Sequence, residues 1–182
     1  YQISYTPSAG IYLIQMDKSD HGNNQNLLIG NPFIDNAEYS LSVRSGIVDV
    51  NPSSSRNILL FPLEYSQAEI NSIDNTIDNN LIFVSNEATE SNFKQNAPSS
   101  NVVHLSTHSF LIKDQPLIFF SSQEDEKDDG FLELGEIVQL NLKSELVVLS
   151  SCRSGLGKID VAEGIIGMQK AFFEAGSKSV IF

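Results

Sequence analysis

The sequence contains a single cysteine, Cys152, among 182 residues. One thiol cannot form an intrachain disulfide, and a structural zinc site built on several thiolates is excluded for the same reason. Basic residues are also scarce, with 11 Lys and Arg against 23 Asp and Glu, and the formal net charge is −12. Because this charge repels nucleic-acid backbones and anionic membrane surfaces, neither is expected as a partner.

Long apolar runs are absent as well. No run approaches the roughly 20 residues that span a bilayer, and the first ten residues lack the basic region and apolar stretch of a secretion signal. We therefore expect a cytoplasmic protein. The chain begins without Met and stops within the apolar run Val180, Ile181 and Phe182, from which we infer that both ends are cuts in a longer polypeptide.

The apolar content is nevertheless sufficient for a folded domain. Apolar residues make up 41% of the chain, which supports a buried core and excludes wholesale disorder. Buried-strand patterns alternate with helical ones, which predicts an α/β fold with a mostly parallel central sheet and helices on both faces. Residues 36–57 have no sustained period and are predicted to be a loop insertion. The predicted strands are 27–32, 81–84, 101–106, 116–120, 145–150 and 180–182, and the predicted helices are 63–73, 87–95, 132–140 and 163–175.

Two predicted strands are followed by side chains that can carry out acyl transfer. His108 comes just after the apolar run 102–105, and Cys152 just after the run 146–149, and both runs are predicted to be central strands buried on both faces. Because the carboxyl ends of neighbouring parallel strands share one edge of a sheet, we expect both side chains to face one cleft. A thiolate can act as the nucleophile, and an imidazole can activate it and then protonate the leaving amine. His108 precedes Cys152 by 44 positions, close to the roughly 50-residue separation found in caspases.

Each residue taken alone also has a structural interpretation. A lone buried cysteine commonly serves as a small apolar core residue, and only its pairing with His108 favours catalysis. His104 lies inside a predicted strand and is interpreted as a hydrogen-bonded core histidine. His21 lies in a polar segment and is interpreted as a solvated loop residue.

Three further motifs compete for the same segments. A cysteine-phosphatase loop has five residues between its Cys and an Arg; here Lys158 follows Cys152 at that spacing, and a Lys cannot supply the bidentate fork that binds phosphate. A phosphate-binding loop at the same place lacks its first Gly and has Ile159 where Ser or Thr should follow the Lys. Residues 125–136 have acidic residues at calcium-loop offsets, but Lys127 occupies a ligand position. We therefore expect residues 124–129 to form an exposed acidic loop without a metal, and no cofactor is expected.

Several segments, in the right order along the chain, resemble the CHAT domain. This caspase-like domain is often joined to TPR repeats and is related to caspases, separase and gingipains. Residues 103–108 are similar to the family's strand ending in Ala-Thr-His-Gly, and residues 146–155 to its Leu-Val-Val-Leu-Ser-Ala-Cys-x-Thr-Gly. The resemblance implies that residues 1–182 are a single CHAT domain with a caspase-like three-layer fold, truncated at its C-terminus. The other similar segments are 27–32, 63–70, 86–93, 129–137 and 163–180.

The resemblance also implies functional roles for individual residues. Cys152 matches the family's nucleophile and His108 its catalytic histidine, while the backbone N–H groups of Ser109 and Cys152 would hold the oxyanion. Ser109 stands where the family has Gly, so a glycine-only backbone conformation there would be strained.

The implied activity is that of a cysteine endopeptidase that cuts a protein or peptide partner under the control of flanking repeats. The alternative is a non-catalytic interaction or signalling module that keeps the fold. A third interpretation is a soluble α/β domain with an inert cysteine. Retention of both His108 and Cys152 favours the peptidase, since a decayed site tolerates the loss of either residue.

Overall fold

The structure is a computed structural model that describes residues 25–34, 39–44, 47–50, 57–58, 60–112, 115–122, 127–150 and 161–182. Its strands are β1 (Asn26–Pro32), β2 (Tyr39–Arg44), β3 (Ile47–Val50), β4 (Asn57–Ile58), β5 (Asn80–Ser85), β6 (Val102–Ser106), β7 (Ser109–Ile112), β8 (Gln115–Phe119), β9 (Phe131–Glu133), β10 (Leu146–Ser150) and β11 (Val180–Ile181). Its helices are α1 (Ser66–Asp74), α2 (Glu90–Asn96), α3 (Leu134–Val138) and α4 (Val161–Ala175), with a 3-10 turn at Ala97–Ser99.

Five strands form a parallel sheet in the order β11-β10-β6-β1-β5. The continuous apolar runs of the sequence account for this arrangement, because strands covered on both faces do not alternate between apolar and polar residues. The α/β fold with a mostly parallel sheet, predicted from the sequence, is confirmed. β11 pairs with β10, as expected of strands joined by a crossover helix, here α4.

Helices lie on both faces of this sheet. One face carries the main core, in which the side chains of β1, β6 and β10 pack with those of α2, α3 and α4. The opposite face is covered by α1, which packs on β1 and β6. Among the described residues, no helix combines the length and apolar character that a membrane crossing requires.

Burial differs between the two strands that lead to the predicted reactive residues. Residues 103–106 of β6 are buried, so this strand is covered on both faces, as predicted. β10 alternates instead, with Val147 and Leu149 buried and Val148 half-buried. The prediction that β10 is buried on both faces is therefore wrong. The physical reason is that α4 covers one face of β10, whereas α1, on the other face, packs over β1 and β6.

Two smaller antiparallel sheets depart from the sequence-based prediction. β8, expected as one more strand of an alternating α/β pattern, pairs with β7 and β9. Pro116 is tolerated there because it lies opposite Leu111 at a position that donates no hydrogen bond to β7. The stretch 36–57, expected as a loop, contains β2, β3 and the start of β4, which form the second small sheet. Antiparallel pairs this short leave little periodicity to detect in a sequence.

The helix ends follow their local sequence. Thr89 caps α2 by accepting a hydrogen bond from the Asn92 N–H at 3.2 Å. Gly176 ends α4 with a φ of 126°, a conformation that favours glycine. At the start of α3, the Glu136 side chain accepts from the Glu133 N–H at 2.8 Å. These caps account for helix starts that lie within a few residues of the predicted ones.

Candidate active site at the carboxyl edge of the sheet

β6 and β10, the strands that precede His108 and Cys152, are neighbours in the sheet. They run parallel and in register, with Ser106 opposite Ser150. His108 follows Ser106 by two residues, and Cys152 follows Ser150 by the same number. The prediction that the two strands end side by side is confirmed. Residues 151–160 lie outside the described residues, so the position of the Cys152 thiol, and that of its N–H, stay predictions.

His108 is held in a closed environment at this edge, with only 2% of its surface exposed. Its Nε2 lies 2.8 Å from the carbonyl oxygen of Phe61, and its ring stands edge-on to that of Phe119 at a centroid distance of 6.4 Å. The backbone is fixed too, because the His108 carbonyl accepts from the Phe119 N–H at 2.9 Å. Thr107 adds a side-chain hydrogen bond to the Phe119 carbonyl. The imidazole therefore has a defined orientation.

The Phe61 carbonyl also determines which ring nitrogen of His108 carries the proton. A carbonyl oxygen only accepts hydrogen bonds, so Nε2 is the N–H and Nδ1 is the unprotonated nitrogen of the neutral ring. Burial lowers the pKa of His108 below its usual value of 6.5, although the Phe61 carbonyl acts in the opposite direction. A neutral imidazole with a basic Nδ1 is the form that can take a proton from a thiol.

Ser109 occupies the first position of β7, opposite Ile118. The residues with positive φ among the described non-glycine residues are Asn31, Asn79, Ser85 and Asn141, so Ser109 is in an ordinary extended conformation. The concern that a serine here strains the backbone is therefore not supported. Because Phe119 N–H bonds to the His108 carbonyl, the alternation of the ladder directs the Ser109 N–H away from β8.

The segment that supplies the Phe61 carbonyl was not identified from the sequence. It lies just before α1, whose first turn is tied to the ends of β1 and β6. Ser66 Oγ accepts from the Asn31 N–H and donates to the Ser106 carbonyl, each at 2.7 Å. The usable signal was a polar pair, Ser66 and Glu69, on the same helix face as the buried Ile70.

Glu69 of α1 makes two contacts with β6. One carboxylate oxygen accepts from Ser106 Oγ at 2.7 Å, and the other lies 3.1 Å from His104 Nε2. His104 is 6% exposed, and burial lowers the pKa of its imidazole despite the neighbouring carboxylate. The interpretation of His104 as a hydrogen-bonded core histidine is confirmed. His21 lies outside the described residues.

A second polar cluster surrounds Lys94 of α2. Its ammonium is 2.7 Å from a carboxylate oxygen of Glu90, of Asp128 and of Glu136. These three carboxylates are close enough together to ligate a cation, but Lys94 already supplies the positive charge between them. Of the expected acidic loop, Lys127 and Asp129 are exposed and Asp128 is half-buried, while residues 123–126 lie outside the described residues.

Comparison with known proteins agrees with this architecture. The family model of the CHAT domain matches residues 1–182, the whole chain. The chain belongs to the CHAT domain family. No curated protein shows a significant match to it. The CHAT family is a caspase-like, peptidase-related family, and the parallel sheet with helices on both faces is consistent with that fold.

Proposed function

We propose that this CHAT domain is a cysteine endopeptidase in which Cys152 is the nucleophile and His108 the general base and acid. The observation that supports the proposal most strongly is the hydrogen bond between His108 Nε2 and the Phe61 carbonyl, because it leaves Nδ1 as the basic nitrogen. The equal spacing of His108 and Cys152 beyond the registered pair Ser106 and Ser150 is further support. The proposed substrate is a protein or peptide, recognised under the control of flanking repeats.

The proposed reaction runs through an acyl-enzyme. Nδ1 of His108 takes the proton of the Cys152 thiol, and the thiolate adds to the carbonyl carbon of the peptide bond. The N–H groups of Ser109 and Cys152 would hold the resulting oxyanion, each contributing on the order of 3 kcal/mol to barrier lowering. The imidazolium then donates its proton to the leaving amine as the C–N bond breaks. Water, deprotonated by His108, hydrolyses the thioester and restores the thiol.

A non-catalytic module is the second proposal. The observation in its favour is the burial of His108, since a histidine that is 2% exposed and bonded to a carbonyl also fits a structural role. Under this proposal the Cys152 thiol has ordinary reactivity, and the domain acts through binding alone. The two proposals therefore differ in the chemistry of Cys152.

The rate at which a thiol-reactive peptide ketone alkylates Cys152 distinguishes the peptidase from the non-catalytic module. Since the chain has one cysteine, intact mass spectrometry assigns any single thiol adduct to Cys152. For a peptidase we expect the native domain to react faster than glutathione does, and faster than the same chain in denaturant. His108→Ala should slow the reaction by about 10²- to 10⁴-fold, the usual contribution of a general base.

The controls make the result specific. Cys152→Ala should abolish both the adduct and cleavage of a peptide pool, whereas His21→Ala should leave the alkylation rate unchanged. An alkylation rate equal to that of glutathione, with no effect of His108→Ala in a folded protein, would establish the non-catalytic module instead.

A further inference from the structure

We propose that Ser66 and Glu69 of α1 are positioning residues for His108, acting through the Phe61 carbonyl. Of the four contacts that carry the inference, three tie the first turn of α1 to β6, the strand that ends beside His108, and one ties it to β1. The unit formed by Phe61, Pro62, Ser66 and Glu69 is called the α1 brace below. Its consequence for the reaction rests on the proposed function, but its effect on the His108 ring does not.

The brace begins at the carbonyl itself. The side chain of Phe61 is 66% exposed, so packing of that side chain does not hold its backbone in place. Proline follows at position 62, and a residue before proline is restricted to extended conformations. This restriction limits the direction of the Phe61 carbonyl. The buried side chain of Leu60, 6% exposed, anchors the chain on the other side.

The position of that carbonyl then depends on where α1 lies. The Ser66 N–H donates to the Leu63 carbonyl at 3.1 Å, so a turn that begins two residues after Phe61 leads directly into the helix. Ser66 Oγ bridges the Asn31 N–H and the Ser106 carbonyl, each at 2.7 Å. Ser66 is 4% exposed, so these hydrogen bonds are made without competition from water.

Glu69 fixes the rotation of the same turn. Its two oxygens contact Ser106 Oγ at 2.7 Å and His104 Nε2 at 3.1 Å, both on β6. Two contacts from one carboxylate to side chains two residues apart on a strand resist both sliding and rolling of the helix. Ser106 is thus held through its hydroxyl and its carbonyl, and it lies two residues before His108. Both ends of the His108–Phe61 hydrogen bond are connected to the brace.

The test uses two conservative variants, each with a matched control in the same helix or just before it. Glu69→Gln removes the charge and one acceptor, and Glu64→Gln makes the same change at an exposed position just before the helix. Ser66→Ala removes the bridging hydroxyl, and Ser72→Ala removes an exposed hydroxyl that bonds only within its own helix turn. Circular dichroism and urea unfolding establish that each variant is folded under the conditions used.

The decisive readout is the protonation of His108, observed by NMR on isotope-labelled histidine at neutral pH. In the parent protein we expect a single tautomer with a proton on Nε2. In Glu69→Gln and Ser66→Ala we expect that N–H signal to be lost through exchange, or both tautomers to appear. Alkylation of Cys152 should slow by about tenfold to a hundredfold, as expected of a misplaced catalytic group. Glu64→Gln and Ser72→Ala should change neither readout.

The outcomes distinguish this inference from the proposed function. If the brace variants are less stable but keep the Nε2 proton signal and the alkylation rate, Ser66 and Glu69 are purely structural and the inference is wrong. Another outcome is that the tautomer of His108 changes in the variants while Cys152 is alkylated at the rate of glutathione in the parent and in every variant. In that case the positioning role stands and the peptidase proposal fails. Restoring the Nε2 signal with Ser66→Thr, which keeps the hydroxyl, would support the inference.

Discussion

At the scale of single residues, His108 combines burial with a defined protonation state. Burial lowers the pKa of the imidazole, and the Phe61 carbonyl fixes its tautomer. Because the folded-state pKa is lowered, the unfolded chain binds the proton more tightly, and His108 destabilises the fold as the pH falls below 6.5. At physiological pH the ring is neutral, and only the neutral imidazole can act as a base.

Ser109 is expected to be compatible with activity despite the glycine that the family has at this position. We predict that Ser109→Gly changes the alkylation rate of Cys152 by less than about threefold, because the backbone is extended and its N–H is already present. The same change should lower the free energy of unfolding by about 0.5–1 kcal/mol, the usual cost of glycine in a strand. Rate measurements and urea unfolding on the same preparations test both parts. A gain of tenfold or more would mean that the site needs a glycine-only conformation.

At the scale of elements, α1 approaches the sheet very closely at Gly30. A Cβ on Gly30 would lie 2.7 Å from Ile70 Cγ1 and 2.9 Å from Ser66 Oγ, both of which belong to the helix. Because Gly30 has no side chain, α1 can come close enough for the hydrogen bond between the Asn31 N–H and Ser66 Oγ. The packing of one helix on one strand therefore depends on a single glycine.

Gly30→Ala is expected to destabilise the domain by about 1–3 kcal/mol, the usual cost of adding a methyl group to a close-packed contact. Urea unfolding measures this directly. The matched control is Gly135→Ala in α3, where a Cβ would meet nothing within 4 Å. That change should be neutral, or stabilising by up to about 1 kcal/mol because alanine favours helix. Equal unfolding free energies for the two variants would show that α1 can move away from β1 at no cost.

At the scale of the whole molecule, the Lys94 cluster links three parts of the chain. Glu90 and Lys94 lie in α2, Asp128 precedes β9, and Glu136 lies in α3. Three carboxylates surround one ammonium, so two of the three are left without a matching positive charge. Glu90 is the most buried of them, at 1% exposure, and burial raises its pKa to about 7. Burial opposes the charge on Lys94, but hydrogen bonds to all three carboxylates raise its pKa.

The raised pKa of Glu90 makes stability depend on pH. Because the folded state binds this proton more tightly than the unfolded chain, the contribution of Glu90 is largest at low pH and is lost between its ordinary pKa of 4.5 and about 7. Glu90→Gln, which does not titrate, should therefore gain stability relative to the parent by about 1–3 kcal/mol between about pH 5 and about pH 8. The difference between the two unfolding free energies isolates Glu90 from the histidines, which titrate equally in both proteins. A constant difference across this range would contradict the assignment.

Much of the architecture follows from local patterns in the sequence. Apolar runs such as 102–106 and 146–150 predict buried strands because parallel strands covered by helices have no polar face. The helix caps at Thr89 and Gly176 follow from the side-chain chemistry of Thr and the backbone freedom of Gly. The same runs place His108 at a strand end. These features depend on neighbours along the chain, so one sequence is enough to predict them.

The environment of His108 was decided only by the tertiary structure. The contact of Phe61 with His108 joins residues 47 positions apart, and that of Glu69 with Ser106 joins residues 37 apart. No periodicity encodes such pairs, because their distance depends on how α1 packs against the sheet. The sequence by itself determined that His108 lies at the sheet edge, whereas packing determined the tautomer, the burial and the lowered pKa of this residue.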